Sequence, residues 1–325
     1  MSFAGGLRAA RFILDNMGNG IGMGQGDEVV MGLLPEADVR VVAVLATQTA
    51  REAAQRHRTR TAASVILGES LTAAALLAAL QLQKSGAKVN LQLECDGPLR
   101  GLFAEGDAEG TVRGYVKNPL CDLEGEPGRY RWRPAFGNGG YLSVLRDAGK
   151  GEYQRSAVEL EAFEVARDME RYFAASEQIP TSVGLVTLTG SEPLLQAVGG
   201  FLIQALPGAK PATLTRLSEL MRGDALADAL RAEGEHPTAL GFLQRVCGAE
   251  AEGLEVMSRY PLRWHCPCSK ERVTRALLTL GAAELRDMVE KDGKAEASCH
   301  FCNAEYLVSR EELGALVSQL EGGAQ

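Results

Sequence analysis

Two cysteine pairs stand out as chemistry: Trp264-His265-Cys266-Pro267-Cys268 and Cys299-His300-Phe301-Cys302, with thirty residues between Cys268 and Cys299. Four of the seven cysteines fall in these two motifs. Two closely spaced thiol pairs separated by a few tens of residues suit a tetrahedral four-sulfur zinc site, each pair on its own tight turn. The C-x-x-C half is common in zinc modules; the C-x-C half is not. Cys266 and Cys268 are expected to sit on a bend, consistent with Pro261 and Pro267 nearby. The expected ligands are therefore Cys266, Cys268, Cys299 and Cys302, holding one Zn2+. His265 and His300 adjoin the ligands and either could replace a cysteine, but with four thiols present they are expected to tune the site or face solvent. Cys95 in a strand, Cys121 in a loop and Cys247 in a helix read as packing thiols, with Cys121 the most accessible of the three.

Several elements must position these residues. Ser269 can cap a helix carrying Val273, Ala276, Leu277 and Leu280. A second helix with Leu285, Met288 and Val289 stops at Asp292-Gly293. The second cysteine pair then lies between short strands at Lys294–Ser298 and Glu305–Val308. Ser309-Arg310-Glu311-Glu312 is a capping box opening a last helix with Leu313, Leu316, Val317 and Leu320. Residues 263–325 thus form a small module, in the size range where an apolar core alone is marginal.

Upstream, 208–262 carries Leu214, Leu217, Leu226, Leu230, Leu240 and Leu243 on short amphipathic helices with breaks between them. Such helices lack a core of their own and must dock on something else, so this stretch reads as a helical linker. Residues 31–207 read as an α+β domain of antiparallel strands with packed helices. Its strands are expected at Asp38–Leu45, Val89–Cys95, Leu102–Glu105, Thr111–Val116, Tyr141–Arg146, Tyr153–Val158, Thr181–Leu188 and Phe201–Ala205. Helices are expected at Leu67–Leu82, apolar on most sides and hence central, and at Glu161–Ala175. Arg51, Arg56, His57, Arg58 and Arg60 form a basic cluster, read as the solvated face of a helix. Between Leu120 and Gly140 the chain is turn-rich and carries Arg131, Trp132 and Arg133. Residues 1–30 read as a flexible extension: Gly18, Gly20, Gly22, Gly24 and Gly26 alternate, and no apolar strand precedes them to make a dinucleotide fingerprint.

Composition narrows the function. The 325 residues are 46% hydrophobic and 23% charged, as in ordinary globular proteins. A net charge of −8 argues against nucleic acid as a partner. The cysteine-bearing end agrees, since residues 263–325 hold eight Lys or Arg against ten Asp or Glu. No signal-peptide pattern opens the sequence, and the most apolar run, Leu71–Leu82, is too short to span a membrane. An odd cysteine count without a disulfide-scaffold pattern suits a reducing compartment, so a cytoplasmic location is expected. A thiol–disulfide oxidoreductase using Cys299 and Cys302, or a zinc module serving as a binding protein, are the competing readings.

The residues around the cysteines, RWHCPCSKERV and LTLGAAELRDMVEKDGKAEASCHFCNAEY, resemble the bacterial redox-regulated heat-shock holdases of the 33 kDa chaperonin family. Further landmarks occur in that family's order: LGESLTAAALLAAL, DGPLRGLFAE, VRGYVKNP, GYLSV with YQRSAVEL, YFAASEQIPT and GGFLIQALP. The resemblance covers about residues 35 to 320. It departs at Asn303 and Arg155, where the family usually has glycine; asparagine tolerates positive φ, so the turn after Cys302 can survive. The resemblance implies a cytoplasmic, ATP-independent chaperone, not an enzyme, that holds unfolding proteins under oxidative stress. It implies zinc on the four cysteines when reduced, and disulfides Cys266–Cys268 and Cys299–Cys302 when oxidised. Loss of zinc would then unfold the module and linker and expose Leu214, Leu217, Leu226, Leu230, Leu240 and Leu243 to client proteins, with a homodimer as the active form.

Overall fold

The computed structural model describes residues 26–80, 86–122, 133–149, 152–222 and 224–322. The expected extension lies outside these residues as far as position 25, as do Arg131 and Trp132. The chain divides into two compact units with the boundary between Trp264 and His265.

The first unit is built around one helix. Helix α1 spans Thr47–His57 and α2 spans Thr61–Ala79, and every α2 residue from Ala62 onward is buried. A run of Ala and Leu with no polar stripe can only sit between two apolar surfaces, and α2 touches two sheets. It begins earlier than Leu67, because Thr61–Ile66 is also apolar enough to be covered. At 19 residues α2 has the length and hydropathy of a membrane span, yet its whole apolar window is buried inside the protein.

One sheet is antiparallel, in the order β10-β1-β2-β9-β8, from β1 (Glu28–Leu34), β2 (Val39–Leu45), β8 (Thr181–Thr189), β9 (Leu195–Ala205) and β10 (Glu255–Pro261). The other runs β11-β5-β4-β3-β6-β7, from β3 (Lys88–Cys95), β4 (Gly101–Asp107), β5 (Thr111–Val116), β6 (Gly140–Asp147), β7 (Tyr153–Glu159) and β11 (Arg263–Trp264). Among the described residues only β11 on β5 is a parallel pair. Two glycines let α2 lie close on both sides. A Cβ at Gly200 of β9 would meet the Thr72 methyl at 2.6 Å, and one at Gly106 of β4 would meet the Ala74 carbonyl oxygen at 2.8 Å. Side chains there would push helix and sheet apart. Helix α3 (Val165–Tyr172) starts later than Glu161, because Asp168 accepts the backbone N–H groups of Glu161, Ala162 and Glu164 in a turn ahead of it.

Residues 208–262 belong to the same compact unit. Helices α4 (Pro211–Leu220), α5 (Ala225–Arg231) and α6 (Ala239–Cys247) cover the face of the five-stranded sheet turned away from α2. Strand β2 therefore sends Val42 and Val44 to the α2 side and Val41, Ala43 and Leu45 to the α4–α6 side, all buried. Periodicity gives the stretch only helices, but Glu255–Pro261 is strand β10, paired antiparallel to β1. Glu28 of β1 ties these pieces together: its carboxylate accepts the Ala239 N–H at 2.7 Å and the Arg259 Nε at 2.7 Å.

The second unit contains α7 (Lys270–Leu278), α8 (Ala282–Lys291), the hairpin β12 (Lys294–Ser298) and β13 (Glu305–Ser309), and α9 (Arg310–Gly322). Its apolar core has four buried residues: Leu285, Val308, Leu313 and Val317.

Candidate metal centre

Local chemistry sets each ligand. Ser269 caps α7 by accepting the Arg272 N–H, which fixes where the chain leaves Cys268. The second pair sits on a tight turn closing the β12–β13 hairpin: Cys302 and Asn303 both donate backbone N–H groups to the Cys299 carbonyl, and Cys299 N–H donates to Ala304. Asn303 takes φ 56°, the left-handed conformation that glycine usually fills and asparagine accepts. The capping box forms at Ser309, which exchanges hydrogen bonds with Glu312 and so orients α9 behind the hairpin.

The four expected ligands converge. All four sulfurs lie within 4.8 Å of one another. Between the motifs, Cys266 Sγ lies 3.7 Å from Cys299 Sγ and Cys268 Sγ lies 3.1 Å from Cys302 Sγ. Four thiolates at ~2.3 Å from a tetrahedral ion would stand ~3.8 Å apart, so small shifts would seat a metal ion. The donor set, four soft sulfurs without a carboxylate, is that of a closed structural site rather than a catalytic one with an open position. His265 and His300 are exposed and are not part of the cluster. Among the described residues no other group of His, Cys, Asp or Glu makes a metal-sized cluster.

Electrostatics separates the sulfurs. Burial opposes ionisation of Cys268, but hydrogen bonds from Tyr306, Cys302, Cys266 and Cys299 outweigh it and bring the thiol down to about 7. Burial and donation to Cys268 hold the Cys302 proton on. The Tyr306 hydroxyl, 2.9 Å from Cys268 Sγ, is likewise pushed up because it donates to that sulfur. Spacing rules did not single out Tyr306. Its only sequence signal is an aromatic residue in the short strand after the second pair.

The other thiols are structural. Cys247, the last residue of α6, is fully buried and is pushed up to about 12 by burial. Cys95 is half-buried and is raised to about 11, again by burial first. Cys121 is not the accessible one: it is 2% exposed, because Ala63 and Arg60 pin its loop over the start of α2 through the carbonyls of Cys121 and Pro119. The basic cluster is only partly a solvated face. Arg51 donates to the Leu195 and Gln196 carbonyls, and Arg56 pairs with Glu52 and lies 4.4 Å over the Trp264 ring.

The leucines expected to meet clients are covered. Leu217, Leu226, Leu230 and Leu243 are buried, and Leu214 and Leu240 are half-buried against the same cluster. Sequence spacing missed their larger companion Phe242, which is fully buried in the same cluster.

The Hsp33 protein family model matches residues 27–309. The chain belongs to the Hsp33 family. It is 38% identical over 294 residues to a 33 kDa chaperonin of Bacillus subtilis, covering 90% of this chain and 99% of the relative. It is 35% identical over 295 residues to a 33 kDa chaperonin of Listeria monocytogenes, covering 90% and 99%. Among solved structures it is similar to the crystal structure of the 33 kDa chaperonin of Thermotoga maritima, with a TM-score of 0.78 and 31% identity over 90% of this chain and 98% of that one. Membership in the Hsp33 family makes the protein a redox-regulated chaperone, and its C-terminal cysteine cluster is suited to hold a metal ion. An oxidoreductase of the thioredoxin type would place Cys299 at the start of a helix. Here Cys299 and Cys302 occupy a hairpin turn instead.

Proposed function

We propose that the protein is an ATP-independent holdase of the cytoplasm whose resting state is locked by one zinc ion on Cys266, Cys268, Cys299 and Cys302. The observation that carries this reading is the imbalance within the second unit: four converging thiols beside a core of only four buried residues. Each such side chain contributes ~1.5–3 kcal/mol. Bound zinc supplies the cross-link that this core lacks, with apparent binding free energies of ~10–16 kcal/mol in small zinc modules.

Oxidation removes the donors. A thiolate of each pair attacks hydrogen peroxide: an S–O bond forms, the O–O bond breaks, and the displaced oxygen leaves as hydroxide, which takes a proton from solvent to become water. The second thiolate of the pair then attacks that sulfur, forming S–S and releasing the hydroxyl oxygen as a second water. Two peroxides thus convert four thiolates into Cys266–Cys268 and Cys299–Cys302. These disulfides close loops of only a few residues and restrict the unfolded chain weakly. With its donors gone the module loses order, and α4–α6, which depend on the sheet for a core, detach next. That bares Leu214, Leu217, Leu226, Leu230, Leu240 and Leu243 together with the sheet face beneath them, an apolar surface suited to unfolded clients. Two such surfaces would associate, in keeping with a dimeric oxidised form.

The test is zinc content and suppression of client aggregation measured on one sample before and after hydrogen peroxide. One zinc per chain, lost in step with the gain of holding activity, is expected. Zinc retained under oxidant at raised temperature would leave the module a static structural site and sink the proposal.

A further inference from the structure

The structure assigns a second role at this site, to Tyr306: we propose that it is a positioning residue that sets how fast a hydroperoxide opens the thiolate cluster. The inference rests on the oxidative release described above and concerns its rate. Tyr306 is held rigidly, since its backbone lies in β13 opposite Ala297 of β12. Its ring is half-buried, and its hydroxyl donates to Cys268 Sγ at 2.9 Å. The neighbouring Cys302 Sγ, 3.1 Å away, is buried at 4% exposure. One side of the cluster is therefore guarded by a hydroxyl on one sulfur and by burial on the other. Cys266 and Cys299, on the other side, are both partly exposed, as is Cys268, so exposure sets apart only Cys302 and the hydroxyl acts on Cys268.

An O–H donated to a thiolate withdraws electron density and occupies a lone pair that would otherwise attack oxygen. Nucleophilicity at that sulfur falls, and a peroxide meets Cys266 or Cys299 first. The reacting step is the one already balanced: S–O forms, O–O breaks, sulfur is oxidised and peroxide reduced to water. Tyr306 neither gains nor loses electrons in it. Its hydroxyl lowers the reactivity of one sulfur, Cys268 Sγ.

The test compares the full-length zinc-loaded protein with Tyr306→Phe, which keeps the ring and deletes the donor. Zinc release is followed with a chromophoric chelator across a series of peroxide concentrations. The slope against peroxide should rise roughly three- to tenfold, the worth of one ordinary hydrogen bond. The intercept at zero peroxide should not change. A sulfenic-acid trap followed by peptide mass mapping should label Cys268 in the variant and Cys266 or Cys299 in the parent. An unchanged slope, a slope that falls, or equal Cys268 labelling in both proteins overturns the assignment. A raised intercept, or a variant purified without zinc, shows a structural strut and also overturns it. If the parent keeps its zinc under peroxide, the release reading itself falls, a result distinct from all of these.

Discussion

At the scale of single residues, the four thiols share one ion's coordination shell, so losing any one should cost more than its own contact. Cys302→Ser is expected to lower zinc from one per chain to near zero. It should also abolish hydrogen-exchange protection in Ala282–Lys291, a helix with a single buried residue, Leu285. Retained zinc and protection would show that three sulfurs suffice. A second residue-scale prediction concerns Glu69, buried within α2. Burial first, and then the nearby charge of Glu164, push its carboxyl up to about 8. A raised carboxyl means the folded state binds more protons than the unfolded one. The stability it contributes is present below the unfolded value of 4.5 and is lost as pH rises through about 8. Denaturant unfolding should therefore weaken between about pH 5 and 8, by at most ~3–5 kcal/mol. Glu69→Gln should flatten that slope, and an equally steep slope in the variant would refute the assignment.

At the scale of elements, α4–α6 are held by what they cover. Phe242 of α6 is fully buried and meets Phe201 of β9 edge-to-face, ring centres 6.3 Å apart. Phe242→Ala should cost ~3–5 kcal/mol and loosen α6 before α2 is affected. Limited proteolysis should then cut within 208–262 while leaving α2 intact; simultaneous loss of both would show one cooperative block. The cysteine module was legible in sequence almost element by element, because its signals are local: a cap at Ser269, a stop at Gly293, a capping box at Ser309. Strands β1 and β10 were not legible. They pair across more than two hundred residues, Glu28 with Pro261, and no local period reports such a partner. The alternating glycines before Glu28 drew the extension past the true start of β1. The first half of β9 was hidden by Gly199 and Gly200, which look like breakers in sequence; Gly200 is there because α2 passes too close for a side chain, while a Cβ at Gly199 would crowd the Val44 carbonyl oxygen at 3.2 Å. Tyr306 was invisible for a different reason: its importance lies in where its hydroxyl ends, not in its spacing.

At the scale of the whole molecule, the two units have very different reserves. The first buries α2 on all sides and both faces of a sheet; the second has, among its described residues, an apolar cluster of four buried side chains. Removing zinc with a strong chelator under reducing conditions should unfold residues 265–322 and free α4–α6, while leaving in place the thermal transition of α2 and the sheets around it. Differential scanning calorimetry should show one transition lost and one kept. Loss of both would mean that the first unit needs the module to stay folded.

Strand β10 lies at the edge of its sheet, and the chain leaves it at Pro261, beside Glu28, three residues before Trp264. Disorder spreading backwards along the chain from Cys266 thus meets the stacked Trp264 and Arg56, then the Arg259–Glu28 ion pair, one contact at a time. An edge strand opened from its end frays like a zipper and needs no simultaneous rupture along its length. The same connectivity makes closing sequential, so regained order at the cysteines would be followed by re-zipping from Pro261 toward Glu255.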